Sequence, residues 1–241
     1  MAFVHYLKQR VEAAFGLRIY RTATPLGLDL NNDLKRLVPQ FQPRVIFDVG
    51  ANVGQTSLYF NKLWPEAEIY AFEPVSATYE ELTRAVAGRE SKIHCVQVAL
   101  SDESGQADIR LSERSVFATL NPAFTLPGSN FGGIESVFKI TADDWCKSNG
   151  IKHIDFLKID AEGHDLHVLK GAGSLFDDQR ISAVLIEIHM GPSPGPTLDT
   201  IRAWLEPRGY VPCGIYDLEG YATKKLLYGN FLFLPYRMIP Q

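Results

Sequence analysis

From residue 44 onward, short apolar runs alternate with amphipathic segments. This pattern predicts a doubly wound α/β domain with a mostly parallel seven-stranded sheet and an antiparallel edge strand. Three observations carry the expectation. Runs rich in β-branched and aromatic residues recur at 45–47, 69–72, 93–100, 156–159 and 181–188. Helical periods, several punctuated by Pro65, Gly88, Gly150 and Gly171, fall between them. The last two runs, 210–215 and 231–234, are joined by a long turn instead of a helix, which makes one edge antiparallel.

The elements follow in order. Val4, Leu7, Val11 and Phe15 fall at helical spacing, so residues 4–15 read as a short amphipathic helix within an N-terminal extension, 1–40, that packs on a single domain over 41–241. Strand 45–47 leads through a glycine-spaced turn into helix 56–63, stopped by Pro65. Strand 69–72 precedes helix 75–87. The third strand spans 93–100, with short edge strands expected at 108–111 and 138–141. A helix starts at Thr141 and ends near Gly150. Strand 156–159 precedes helix 165–169, and strand 181–188 precedes helix 198–205. Residues 112–136 are polar and hold Pro122, Pro127, Gly128, Gly132 and Gly133. They read as a long loop, and Phe117, Phe124 and Phe131 within it point to a substrate wall.

Composition narrows the function. The 241 residues are 46% hydrophobic, enough for a full core, and carry 24 basic against 28 acidic side chains. No basic stripe is visible, which argues against a nucleic-acid partner. Cys95, Cys146 and Cys213 lack zinc or redox spacing and fit a reducing compartment. The N-terminus has no apolar signal core, and no run reaches the roughly 18 apolar residues that a membrane span needs, so a cytoplasmic protein is expected. The sequence is compatible with an oligomer and does not choose one.

The segment Val45 to Thr56 bears most of the inference. A buried strand ends in Asp48, and the turn Gly50-Ala51-Asn52-Val53-Gly54 then opens a helix at Gln55 and Thr56. Glycines there let a backbone approach a ligand closely, and ligands of open α/β sheets sit beyond the carboxyl ends of the strands. A dinucleotide turn would read G-x-G-x-x-G, with pyrophosphate on the helix N-terminus. Here Gly50, Asn52 and Gly54 alternate instead. A carboxylate before the turn gains nothing from pyrophosphate but does gain from a sulfonium and an ammonium, so Asp48 favours S-adenosylmethionine over NAD. Glu73, before Pro74 at the end of the second strand, can accept both ribose hydroxyls. Ala99 and Leu100, ending the third strand, are placed to face the adenine. Each acid alone could be a helix cap or a surface charge; on consecutive strand ends the cofactor reading is favoured.

The segments 48–54, Phe72-Glu73-Pro74, 98–102, 157–163, 168–171 and Glu187-Ile188-His189 together resemble the FkbM-like methyltransferases, over roughly residues 44–190. The resemblance implies a class I methyltransferase fold, S-adenosylmethionine as donor and a hydroxyl acceptor on a sugar, polysaccharide, lipid or natural product. A nicotinamide-dependent oxidoreductase and a non-catalytic methyltransferase-like scaffold are the competing readings.

The remaining candidates end the fourth and fifth strands. Lys158, Asp160 and Glu162 alternate at one end, as do Glu187 and His189 at the other. Two chemistries fit. His189 or a carboxylate acts as general base, or Asp160, Glu187 and His189 hold a divalent cation such as Mg2+. Glu162 and Asp165 read equally well as helix N-terminal charges. His164 and His167, three apart, read as an exposed helix face more readily than as a metal pair.

Overall fold

The structure, a computed structural model, describes residues 10–12, 14, 25–112, 117–123, 130–190, 195–220 and 226–239. Most of the helix expected over 4–15, and Phe124, lie outside them. The main sheet begins at β1 (Val45–Val49), the V-I-F-D-V run. It pairs in parallel with β2 (Glu68–Phe72) on one side and with β8 (Phe156–Ile159) on the other. Outward from these lie β3 (Ile93–Val96) and β9 (Val184–His189), again parallel. The hairpin β10 (Tyr210–Gly220) and β11 (Leu226–Pro235) completes seven strands. β11 runs antiparallel to both β9 and the outermost β10. The chain therefore has the doubly wound, mostly parallel sheet that the alternation predicted, with the reversed strand at that edge.

Helices cover both faces. α1 (Leu30–Leu37), α2 (Gln55–Leu63) and α3 (Ser76–Ala85) belong with one face; α4 (Ala142–Ser148), α5 (Asp165–Gly171), α6 (Gly173–Asp177) and α7 (Leu198–Leu205) belong with the other. Local chemistry starts several of them. Asp29, Thr141 and Thr197 cap α1, α4 and α7 by accepting the backbone N–H three residues on. Strand alternation sorts the core into two layers. Phe47, Val49, Leu157, Ile159, Ile186 and Ile188 pack under α4 to α7. Ile46, Phe156 and Leu185 pack under α1 and α2, joined there by Leu30, Leu34 and Phe60. The same alternation puts Asp48, two residues after Ile46, and Lys158, two after Phe156, on the α1–α2 face as directly paired neighbours.

Two expectations are corrected. The third strand does not run unbroken over 93–100: it breaks after Val96, and β4 (Ala99–Leu100) belongs to a second sheet of order β4-β7-β5-β6. That sheet contains β5 (Gly105–Ser112), β6 (Ala118–Thr119) and β7 (Phe131–Ile140). Both ends of the expected loop over 112–136, and residues 118–119 within it, are thus strand. The signal was weak because β7, F-G-G-I-E-S-V-F-K-I, is mostly half-exposed and glycine-interrupted, so little apolar contrast marks it.

Candidate active site

The turn after β1 is built by two close approaches. The N–H groups of Gly50 and Ala51 both donate to the Phe72 carbonyl at 3.0 Å, tying the ends of β1 and β2 together. Gly50 has φ +76, and a Cβ built there would overlap the Asp160 carbonyl oxygen, so only glycine fits between the ends of β1 and β8. Gly54, φ +92, then enters α2. Beside this turn lies a cleft of about 820 Å3 counted to its mouth. The turn residues Gly50 and Asn52 line it, with Thr56, Glu73, Pro74, Ala99 and Leu100 beyond. Gly54 and Gln55, expected at the cofactor, are not on its wall. Gly54 packs against Leu82 instead, and Gln55 opens onto a second cleft.

Asp48 also differs from expectation. It is fully buried beneath the turn, where Ser57 Oγ donates to its Oδ2 at 2.6 Å, and the cleft lining begins only at Val49. Burial pushes its carboxyl up, against the pull of Lys158 and the Ser57 bond. Its carboxyl lies beneath the turn and off the cleft wall. Glu73 lines the cleft directly. Its oxygens accept from Asn52 N–H at 3.1 Å and Val75 N–H at 2.9 Å, and an ionised carboxylate has further lone pairs to offer. Burial raises its pKa to about 7, opposed by those two backbone bonds.

The far end of the cleft is ionic. Lys158 donates to Asp160 Oδ2 at 2.7 Å, and both residues line the wall. Burial alone would depress the Lys158 ammonium, but Asp160, Asp48 and Glu187 hold it above its ordinary value. Beyond them Glu162, Glu187 and His189 bring one ligand atom each within 4.8 Å of one another. The expected trio had Asp160 in the place of Glu162; Asp160 is instead drawn to Lys158. His189 Nε2 lies 3.2 Å from Glu187 Oε1. Burial pushes the Glu162 carboxyl to about 9, with Asp160 and Glu187 adding repulsion, and raises Glu187 as well. Burial acts against the His189 imidazolium, but the Glu187 bond holds its pKa raised.

Sequence reasoning missed what holds Glu162. It sits at φ +48, and Thr119 Oγ1 of β6 donates to its carbonyl at 2.6 Å while Asn121 Nδ2 donates to the Gly163 carbonyl at 3.3 Å. The second sheet thereby fixes the loop after β8, and Ile109, Ala118 and Leu120 of that sheet and its margin form a wall of the cleft. Asp165 is buried and accepts Ala161 N–H at 2.8 Å and Gly163 N–H at 3.1 Å, a loop-fixing role. His164 is not an exposed face residue: it lines the cleft, bonds Ser101 Oγ through Nε2 at 2.9 Å, and burial pulls its pKa down to about 4. His167, paired with Asp102 at 2.8 Å, stacks on it.

A doubly wound sheet with a glycine turn after β1, an acid closing β2 and a reversed β11 defines a class I methyltransferase fold. A family model described as the methyltransferase FkbM domain matches residues 48–212, and the chain belongs to that family of S-adenosylmethionine-dependent methyltransferases. The hexuronic acid methyltransferase AglP of Haloferax volcanii is 29% identical over 150 residues, 62% of this chain; the match spans 58% of AglP. The 2-O-methyltransferase NoeI of Sinorhizobium fredii is 28% identical over 177 residues, 68% of this chain and 70% of that protein. The METTL16 methyltransferase domain superposes with a TM-score of 0.51 over 96% of this chain and 78% of its own, at 12% identity, a likeness of fold alone. Neither the oxidoreductase nor the scaffold alternative is favoured. Among the described residues no helix is long and apolar enough to cross a membrane.

Proposed function

We propose that this chain transfers the methyl group of S-adenosylmethionine to a hydroxyl oxygen of a sugar or natural-product acceptor. The observation that supports it most is the set of groups on one cleft: the glycine turn, Glu73, the Lys158–Asp160 pair and Glu162, with Glu187 and His189 gathered around Glu162. AglP, a hexuronic acid methyltransferase, and NoeI, a 2-O-methyltransferase, are in keeping with such an acceptor.

The residues fit the cofactor. Gly50 and Asn52 admit close backbone approach, and Glu73 keeps lone pairs for ribose hydroxyls. Ala99 and Leu100 offer an apolar wall for a base. When bound, S-adenosylmethionine supplies an electrophilic methyl on a cationic sulfur. The negative field of buried Asp48, and of Asp160, favours that charge. Gly50, Asn52 and Glu73 would hold the donor, and the chain itself would supply the in-line placement of the acceptor oxygen against the methyl group. Alignment does much of the work. The hydroxyl proton passes to the Glu187–His189 pair, whose raised pKa values make it a competent base for an alcohol near neutral pH. Lys158 holds Asp160 in place between cofactor and acceptor.

A second reading has its own support. Two half-buried carboxylates and an imidazole within 4.8 Å, with Glu162 raised to about 9, are short of positive charge. Glu162, Glu187 and His189 could hold a divalent cation that lowers the acceptor's pKa. Calorimetric titration with S-adenosylhomocysteine, with NADH as control, tests the proposal first. Saturable binding of the former alone is expected, and binding of NADH alone would overturn it. Turnover measured before and after EDTA separates base from cation.

A further inference from the structure

A second cleft, about 1030 Å3 counted to its mouth, lies on the α1–α2 face of the sheet. It shares Thr56 and Lys158 with the cofactor cleft, so the two meet at the ionic end of the site. Its other walls come from elements far apart in sequence: the segment before α1, the first turns of α2, and the β10–β11 hairpin. We infer that this cleft seats the acceptor and that its lining selects an uncharged, polyhydroxylated ring over a carboxylated or phosphorylated one. The inference rests on the methyltransferase reading and deepens it by naming where the acceptor lies and what charge it carries.

Four side chains carry the argument. Tyr59 is 46% exposed on α2 and presents an aromatic face to the cleft wall. A ring bearing C–H groups packs on such a face while the phenol remains a polar handle. Asp29 and Asp217 line the same cleft, both close enough to Tyr59 that, after burial, they are what raises its pKa. Asn230 pairs with Glu187 across the β9–β11 ladder and so stands next to the proton-accepting cluster. Its Oδ1 is buried and has no hydrogen-bond partner among the described residues, while its Nδ2 reaches Asp217 Oδ2 at only 3.4 Å. A buried carbonyl left without a donor is costly, and a hydroxyl from a ligand would satisfy it.

The charge follows from the same residues. Carboxylates and a carboxamide accept hydroxyl protons well and repel an anion. The cationic side chain on the wall among the described residues, Lys158, is already bonded to Asp160. A uronate or phosphate would therefore enter facing Asp29 and Asp217, with no free cation among the described residues of the wall to meet it.

The test uses the full chain saturated with S-adenosylhomocysteine. Saturation-transfer difference NMR is recorded with the methyl glycosides of glucose, galactose, mannose and rhamnose, then with the methyl glycosides of glucuronate and galacturonate. The neutral set is expected to saturate about fivefold more strongly, the size of effect that two partly exposed carboxylates exert. Tyr59→Ala should weaken that signal about tenfold, and Asp217→Asn should narrow the gap between the sets, both with S-adenosylhomocysteine affinity unchanged by calorimetry. Equal or stronger saturation of the uronates, a neutral signal that survives Tyr59→Ala, or no saturation in either set while S-adenosylhomocysteine binds overturns the inference. Failure of S-adenosylhomocysteine to bind overturns the methyltransferase reading itself, and the inference with it.

Discussion

Gly50 and Asp160 are locked together: the glycine's missing side chain is the space that the Asp160 carbonyl oxygen occupies. The turn that would approach the cofactor and the strand end that carries the Lys158–Asp160 pair are thus one rigid unit, spaced by the absence of a Cβ. Gly50→Ala adds both a backbone conflict and a left-handed φ for a non-glycine residue. It should cost at least about 3 kcal/mol of stability, measured by urea unfolding. A loss under about 1 kcal/mol would show that the two segments can part.

Asp48 tests field against contact. In Asp48→Asn the amide oxygen can still accept from Ser57 Oγ, so shape is kept and charge is removed. S-adenosylmethionine carries a cationic sulfur and S-adenosylhomocysteine a neutral one. The variant should therefore lose about tenfold more affinity for the first than for the second. Equal losses for the two ligands would mean that Asp48 only holds the turn.

Glu73 gives a pH dependence with a definite sign. Its pKa is about 7 in the folded chain, above the ordinary 4.5. Between those values the folded chain holds a proton that the unfolded chain has released. Stability from this group is thus full below about 4.5 and is lost as pH rises to about 7. Ribose hydroxyls donate to the ionised form, so S-adenosylhomocysteine affinity should run the other way. It should rise about tenfold per unit up to pH 7 and level off above. Calorimetry from pH 5.5 to 8.5 measures it, and Glu73→Gln should flatten the profile. A flat profile in the parent chain would take Glu73 away from the ribose.

Glu187→Gln removes the carboxylate that keeps His189 protonatable and leaves the cofactor wall intact. Turnover should fall about 100-fold or more at unchanged S-adenosylhomocysteine affinity. Undiminished kcat would move the proton acceptor elsewhere.

Glu162 separates the two chemistries. With a pKa of about 9 it is a neutral acid at pH 7.5, and Gln mimics that state. If Glu187 and His189 act as base without a cation, Glu162→Gln should leave kcat within about threefold. A loss of two orders of magnitude, restored in part by millimolar Mn2+, would favour the cation.

The strand ends that matter were legible in the chain because they depend on local pattern. Period-two alternation puts Asp48 on the face of Ile46, and His189 on the face of Glu187, wherever the strands pair. The spacing from a buried strand through Gly50 to Gly54 likewise announced a glycine turn, and both glycines take positive φ. The roles of single residues were less legible. Asp48 reads as a contact until α2 brings Ser57 over it. Asp160 reads as a metal ligand until Lys158, two residues away in sequence, proves to be its partner.

By itself, then, the sequence determined the doubly wound sheet, the order of its parallel strands' functional ends and the class of cofactor they suit, since each follows from periodicity and glycine placement over a few consecutive residues. Tertiary structure alone decided which atoms face the clefts. Thr119 reaches Glu162 across 43 positions and Tyr216 reaches Asp33 across 183. Contacts of that range pit loop-closure entropy against packing, and no local pattern encodes which of many such pairings wins. The second sheet, the Glu162 cluster and the cleft between Tyr59 and Asn230 all depend on contacts of this kind.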